Sequence, residues 1–198
     1  MALEEKIMEL KESPVAETIS TRMREFRECD DIFSEMCFCI LTANASAKSG
    51  IKTQKEIGHK FGFMDEHELR EYLRTSGCRF YRNKCSYILA AREKEFRPEI
   101  FSNGMEAREW LVKNIKGLGY KEASHFLRNI GFEDVAILDR HILNIMADNN
   151  LIAMPKTLTK KRYLDIEQEL VKFAKKVDLS LGELDLYLWY LQTGKVLK

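Results

Sequence analysis

Apolar residues recur at steps of three and four along almost the whole chain, and only 3 prolines and 10 glycines interrupt that rhythm over 198 residues. Such spacing lays a stripe along one face of a helix, whereas a half-buried strand needs alternation, which persists here for only a few positions at a time. The chain therefore reads as all-α. Helices are predicted from Ser13-Pro14 to about Phe26, from Asp30 or Asp31 as cap through Leu41, and near 53–61, 66–75, 81–95, 104–115, 120–130, 140–148, 159–176 and 181–191. The second of these carries Ile32, Phe33, Met36, Phe38, Ile40 and Leu41 and should be largely buried. No internal repeat or low-complexity linker appears, so a domain division must fall at helix junctions, with both termini in one half.

A chain that is 45% apolar and 32% charged can bury a core without staples and is not disordered. No stretch approaches the roughly 18 uncharged apolar residues of a membrane span. The opening MALEEKIMELKE lacks the basic start and apolar run of a signal peptide, so a soluble, cytoplasmic protein is expected. Cysteines at 29, 37, 39, 78 and 85 include no C-x2-C pair, and His59 and His67 make no metal spacing. A disulfide framework and a four-cysteine metal site are both unsupported.

Formal net charge is only +1, yet it is unevenly spread: −5 over residues 1–35, +4 over 36–138 and +2 over 139–198. Arg74, Arg79, Arg82, Lys84 and Arg92 lie in a stretch without an acid, interleaved with Phe80, Tyr81 and Tyr87. This is either an anion-binding face or a solvated helix flank.

One segment stands apart. Leu111–Asn129, LVKNIKGLGYKEASHFLRN, is two amphipathic helices joined by Gly117-Leu118-Gly119. Two glycines flanking an apolar residue permit a tight turn and leave backbone N–H groups and the next helix's N-terminus open to a phosphate. Such a helix-hairpin-helix holds a DNA backbone without reading bases; a C-cap with a second glycine is the plainer alternative. Lys121 sits in the first turn of the following helix, where positive partial charge disfavours an ammonium, and a neutral lysine is a nucleophile. After that helix, GFEDVAIL makes a short apolar return, and Asp139 precedes the helix of RHILNIM. About ten helical residues rise roughly 15 Å, which seven or eight extended residues retrace, so Asp139 is expected beside Lys121. As an N-cap its carboxylate would stay ionised and stabilise a nearby cation. A surface lysine and an ordinary cap are the alternatives.

The hairpin, Lys121 and Asp139 stand in the order and spacing of the helix-hairpin-helix, Gly/Pro-rich, Asp family of DNA glycosylases. GLGYKEASHFLRNIG and LDRHIL resemble the archaeal-type 8-oxoguanine glycosylase/lyase branch, the second Ogg family, with support from ILTAN at Ile40–Asn44, RFYRNK from Arg79, Trp189 and the terminal Lys198. The resemblance runs from about residue 15 to the C-terminus. It implies two helical subdomains flanking a DNA-binding cleft: a central barrel over 31–138, and a second bundle from 1–30 and 139–198. Lys121 would attack the sugar C1′ and form a Schiff base that supports β-elimination, and Asp139 would assist base departure. Gly117 and Gly119 would hold phosphate, in relatives often through a monovalent metal ion. His141 resembles a phosphate-touching position, and Asn44 one that contacts the strand opposite the lesion. No other cofactor is implied. The C-terminal cysteines of iron-sulfur relatives are absent, unlike an endonuclease III or MutY type.

Base recognition must turn on the N7–H and O8 that distinguish 8-oxoguanine from guanine, in a pocket that takes an extruded base between flat side chains. Trp189 and Phe80 resemble the sandwiching aromatics, Lys198 a determinant of guanine rejection, and His125 is placed to line the pocket. Core packing of Trp189 and of His125 is the plainer reading of each. The implied partner is duplex DNA containing 8-oxoguanine, bound by a nucleoid-associated monomer. The rivals are a non-catalytic helix-hairpin-helix module and a glycosylase for another damaged base.

Overall fold

The computed structural model of the chain describes residues 2–45 and 47–198, and among them eleven α-helices and no strand. Two compact units are formed: one from Cys29–Ile130, the other from the residues up to Glu28 together with Gly131–Lys198.

The central unit holds α3 (Ile32–Thr42), α4 (Ala47–Ile57), α5 (Glu66–Thr75), α6 (Tyr81–Arg92), α7 (Gly104–Asn114) and α8 (Tyr120–Asn129). Asp31 caps α3 through Ser34 N–H at 3.0 Å. Every residue from Ser34 to Thr42 is buried, so α3 has no solvent face and α4, α6 and α8 pack around it. Its one buried acid, Glu35, accepts hydrogen bonds from Asn129 Nδ2 of α8 (2.6 Å) and Gln54 Nε2 of α4 (2.9 Å). That network meets the cost of a buried carboxylate and ties three helices together.

Helix α4 starts at Ala47, not near 53. Gly50 lets α4 approach α3 so closely that a Cβ there would stand 2.5 Å from Thr42 Cγ2.

The terminal unit holds α1 (Leu3–Lys11), α2 (Val15–Arg27), α9 (Arg140–Asp148), α10 (Lys160–Lys176) and α11 (Leu181–Thr193), with α11 touching all four others. Helix α1 is absent from the sequence-based expectation. Nine residues are too few for a helix to stand alone, and α1 persists by burying Leu3 and Ile7 against its neighbours.

The return segment after Gly131 also falls in this unit, which corrects the expected boundary at 138. Val135–Leu138 is buried without helical hydrogen bonds, so its backbone groups need other partners. Ala136 N–H donates to the buried Glu167 (2.7 Å), Tyr163 Oη donates to the Ala136 carbonyl (2.6 Å) and accepts from Leu138 N–H (3.3 Å). Arg27 pairs with Glu133 at 2.6 Å, and the Glu133 carbonyl accepts from Leu181 N–H at 3.0 Å. All of these partners lie on α2, α10 and α11.

Candidate active site

In the hairpin, the Ile115 carbonyl accepts from Leu118 N–H at 3.4 Å and closes a four-residue turn. Its third residue, Gly117, has φ 91°, which glycine adopts at least cost. The place is also crowded: a Cβ on Gly117 would meet Tyr87 Cδ2 at 2.6 Å. Leu118 is buried and pins the turn from inside. Arg108 of α7, itself 1% exposed, donates to Ser124 Oγ (3.1 Å) and stacks over the Tyr120 ring, holding α8 against α7.

Gly119 serves differently. Its φ of −85° suits any residue, and a Cβ would meet only the flexible Glu122 carboxylate at 3.2 Å. As the N-cap of α8 it supplies no side chain, whereas Asp31, Asp65, Asn103, Asp139, Thr159 and Ser180 cap α3, α5, α7, α9, α10 and α11. No cap side chain competes for the first N–H groups of α8, and the helix dipole adds positive character there. Lys121, half-buried, is the second residue of this helix. His125, one turn on, is 7% exposed and meets Phe38 edge-on at 5.6 Å. Within its own unit its setting is the packed one.

Beside the hairpin the central unit carries a cleft of about 370 Å³, with Asn44, Phe80, Lys84, Tyr87, Gly117 and Glu122 in its lining. Asn44 (φ 54°) and Phe80 (φ 58°) are both non-glycine residues in the left-handed region. Strain of this kind concentrates at sites of function. Phe80 is half exposed, with the Arg79 guanidinium 4.9 Å from its ring centre.

The basic run from Arg74 to Arg92 does not form one anion-binding face. Arg74 is paired with Glu71 at 2.7 Å, and Arg92 donates to the carbonyls of Phe61 and Met64. Lys84 is 4% exposed and donates to the Leu41 carbonyl at 2.7 Å; burial pulls its ammonium pKa below the ordinary value. Arg79 and Arg82 remain exposed, and among the described residues neither pairs with a carboxylate. Tyr87 and Glu122 were not singled out from the sequence as cleft residues. A signal for Tyr87 existed, since Phe80, Lys84 and Tyr87 are spaced along one helical face.

In the terminal unit Asp139 is the N-cap of α9: its Oδ1 accepts from Ile142 N–H at 2.9 Å, as expected, and among the described residues Oδ2 accepts no hydrogen bond. His141, exposed in the first turn of α9, meets the Trp189 ring of α11 edge-on at 4.9 Å. Trp189 is half-buried, and its Nε1–H is buried with no acceptor among the described residues. Lys198 is half-buried beyond α11, which ends at Gly194 in the left-handed conformation. His59 and His67 are exposed, and among the described residues the cysteines form no disulfide. Lys121 and Asp139 thus belong to different units, each placed by its own helix start.

The sequence pattern of the Ogg helix-hairpin-helix family, described as 8-oxoguanine DNA glycosylase, matches residues 19–179. The chain is 52% identical to the 8-oxoguanine DNA glycosylase/AP lyase of Methanocaldococcus jannaschii, with all of both chains covered. The enzyme of that name from Korarchaeum cryptofilum is 46% identical over 97% of this chain and 96% of its own. Among solved structures, the Methanocaldococcus jannaschii glycosylase/lyase in complex with a 15mer DNA containing 8-oxoguanine superposes with TM-score 0.95 at 51% identity, covering all of both chains. The 8-oxoguanine DNA glycosylase of Thermotoga maritima gives 0.91 at 42% identity, covering 99% of this chain and 98% of that one. With two helical units, a helix-hairpin-helix and a family match across most of its length, the chain belongs to the Ogg family of 8-oxoguanine DNA glycosylases.

Proposed function

We propose that this chain removes 8-oxoguanine from duplex DNA and then cuts the strand at the abasic site it has made. The observation that carries the reading, beside family membership, is the start of α8: an uncapped hairpin helix whose second residue is Lys121. A phosphate held on the N–H groups there brings the sugar of a neighbouring nucleotide within range of a lysine side chain.

The Nζ lone pair of Lys121 attacks C1′, the bond from C1′ to the base nitrogen breaks, and the departing base takes up a proton. Loss of a proton from the amine and opening of the sugar ring give a Schiff base. Removal of a 2′ proton then expels the 3′ phosphate by β-elimination, and water releases the amine. Asp139 supplies negative charge to the developing oxocarbenium. Its cap bond to Ile142 holds Oδ1, leaving Oδ2 for the reaction. The amine is itself the covalent catalyst, so no organic cofactor enters. The carbonyls around Gly117 and Gly119 are neutral oxygen donors suited to a monovalent cation, which would add positive charge toward the phosphate when bound.

Trp189 and Phe80 stack on the extruded base, Lys198 completes its recognition, His141 touches a phosphate, and Asn44 contacts the opposite strand. Extrusion costs a few kcal/mol, which these contacts offset. The enzyme works as a monomer, on the nucleoid where its substrate lies. No helix among the described residues is long and apolar enough to cross a membrane.

The test is borohydride trapping on a duplex with one 8-oxoguanine. Wild type should cross-link and cleave, and Lys121→Gln should do neither while still binding. Trapping that survives Lys121→Gln would remove the amine from its role, and a salt-sensitive, reversible complex without excision would leave a binding module only.

A further inference from the structure

The cleft beside the hairpin contains a buried cation that the chemistry above does not use. Lys84 is 4% exposed, and among the described residues no carboxylate pairs with it. An unbranched apolar side chain would fill the same space without the cost of desolvating an ammonium. What the ammonium adds is a directed bond. Its Nζ donates at 2.7 Å to the carbonyl of Leu41, in the last turn of α3, where a carbonyl has no partner within its own helix and a cation is favoured. The chain then turns: Ala45 N–H donates to the Thr42 carbonyl at 3.0 Å, with Asn44 between them in the left-handed conformation. At its other end Lys84 belongs to the first turn of α6, and its own N–H donates to the carbonyl of Phe80 at 3.0 Å. One side chain therefore joins the helix end that leads into Asn44 to the helix start that follows Phe80. These are the two strained residues that line the cleft.

We infer that Lys84 is a positioning residue, which fixes the Asn44 turn and the Phe80 platform relative to each other so that both engage DNA together. This rests on the contact proposed above between Asn44 and the strand opposite the lesion. Lys84 touches no substrate; it acts through Asn44 and Phe80.

The test is a double-mutant cycle on single-turnover excision of 8-oxoguanine from a duplex, run well below the melting temperature of each variant. Asn44→Ala should slow excision about tenfold, Lys84→Met about tenfold, and Lys84→Met added to Asn44→Ala less than about twofold further, a coupling of roughly 1 kcal/mol. Trapping on a preformed abasic site in a single strand, which needs no opposite strand, should stay near wild type for Lys84→Met. A merely stabilising lysine would show no such coupling. If Lys84→Met does not fold, Lys84→Gln, one atom short of the Leu41 carbonyl, enters the same cycle; failure of both to fold would overturn the positioning role in favour of a folding role. Independent tenfold losses that multiply would overturn the inference while leaving Asn44 in its place. An Asn44→Ala enzyme at full rate would overturn both, and absence of excision by wild type would instead sink the function.

Discussion

Replacing Gly117 by alanine separates the two reasons a glycine stands in the hairpin. At φ 91° an L-residue pays for its Cβ against its own backbone, roughly 1–2 kcal/mol. The same Cβ lies 2.6 Å from Tyr87 Cδ2 and 3.2 Å from Cγ, both in a ring that cannot fold away, and overpacking of this kind costs about 1–3 kcal/mol. The total, about 2–5 kcal/mol, is a large share of a typical stability of about 5–15 kcal/mol. For a chain of this length it corresponds to a fall in Tm of about 4–20 °C. Gly119→Ala is the internal control: ordinary φ and a movable Glu122 side chain should keep the loss within about 0.5–1 kcal/mol. Its methyl group nevertheless sits at the mouth of α8, so DNA affinity should fall in both variants. Calorimetry and fluorescence anisotropy on an abasic-site duplex measure the two effects. In a Tyr87→Ala background, Gly117→Ala should cost only the backbone part. Equal losses of Tm at 117 and 119, or no relief from removing the Tyr87 ring, would refute the reasoning.

Asp139→Asn keeps a side chain able to accept the Ile142 N–H but removes the charge. Tm should shift by no more than about 2 °C, while single-turnover excision falls at least about 100-fold; a slowed rate matched by an equal loss of stability would return Asp139 to a purely structural cap. Among the cysteines, Cys37, Cys39 and Cys85 are buried, and burial pushes the Cys37 thiol well up, so it stays neutral and unreactive at pH 8. A colorimetric thiol titration should count two groups in the native protein, Cys29 and Cys78, and five after unfolding; three or more in the native state would contradict the packing of α3 and α6. Lys121→Gln and the Lys84 cycle complete the series.

Much of the candidate site was legible because its signals are local. The turn at Gly117 is dictated by backbone sterics over four residues, and the Asp139 cap by the first turn of one helix. The burial of α3 follows from apolar residues on all sides of eleven positions. Legible too was the absence of strands among the described residues, since a period of 3.6 excludes a period of 2 across the same residues. Family resemblance added the roles of Lys121 and Asp139, which the residue pattern alone left open against a surface lysine and a plain cap.

What tertiary structure alone decided concerns residues whose partners arrive from elsewhere in the chain. Gly50 is required only once Phe38 and Thr42 are brought against it, and α1 has too few residues to persist before α2 and α11 cover Leu3 and Ile7. Residues 131–138 join the termini because Glu167, Tyr163 and Arg27 satisfy their polar groups. Lys84 reads as one more surface cation until it is seen to donate to Leu41. A helical period tells which residues share a face, but not what that face meets. Burial, desolvation and close backbone approach depend on atoms distant in sequence, and those are brought together only by folding.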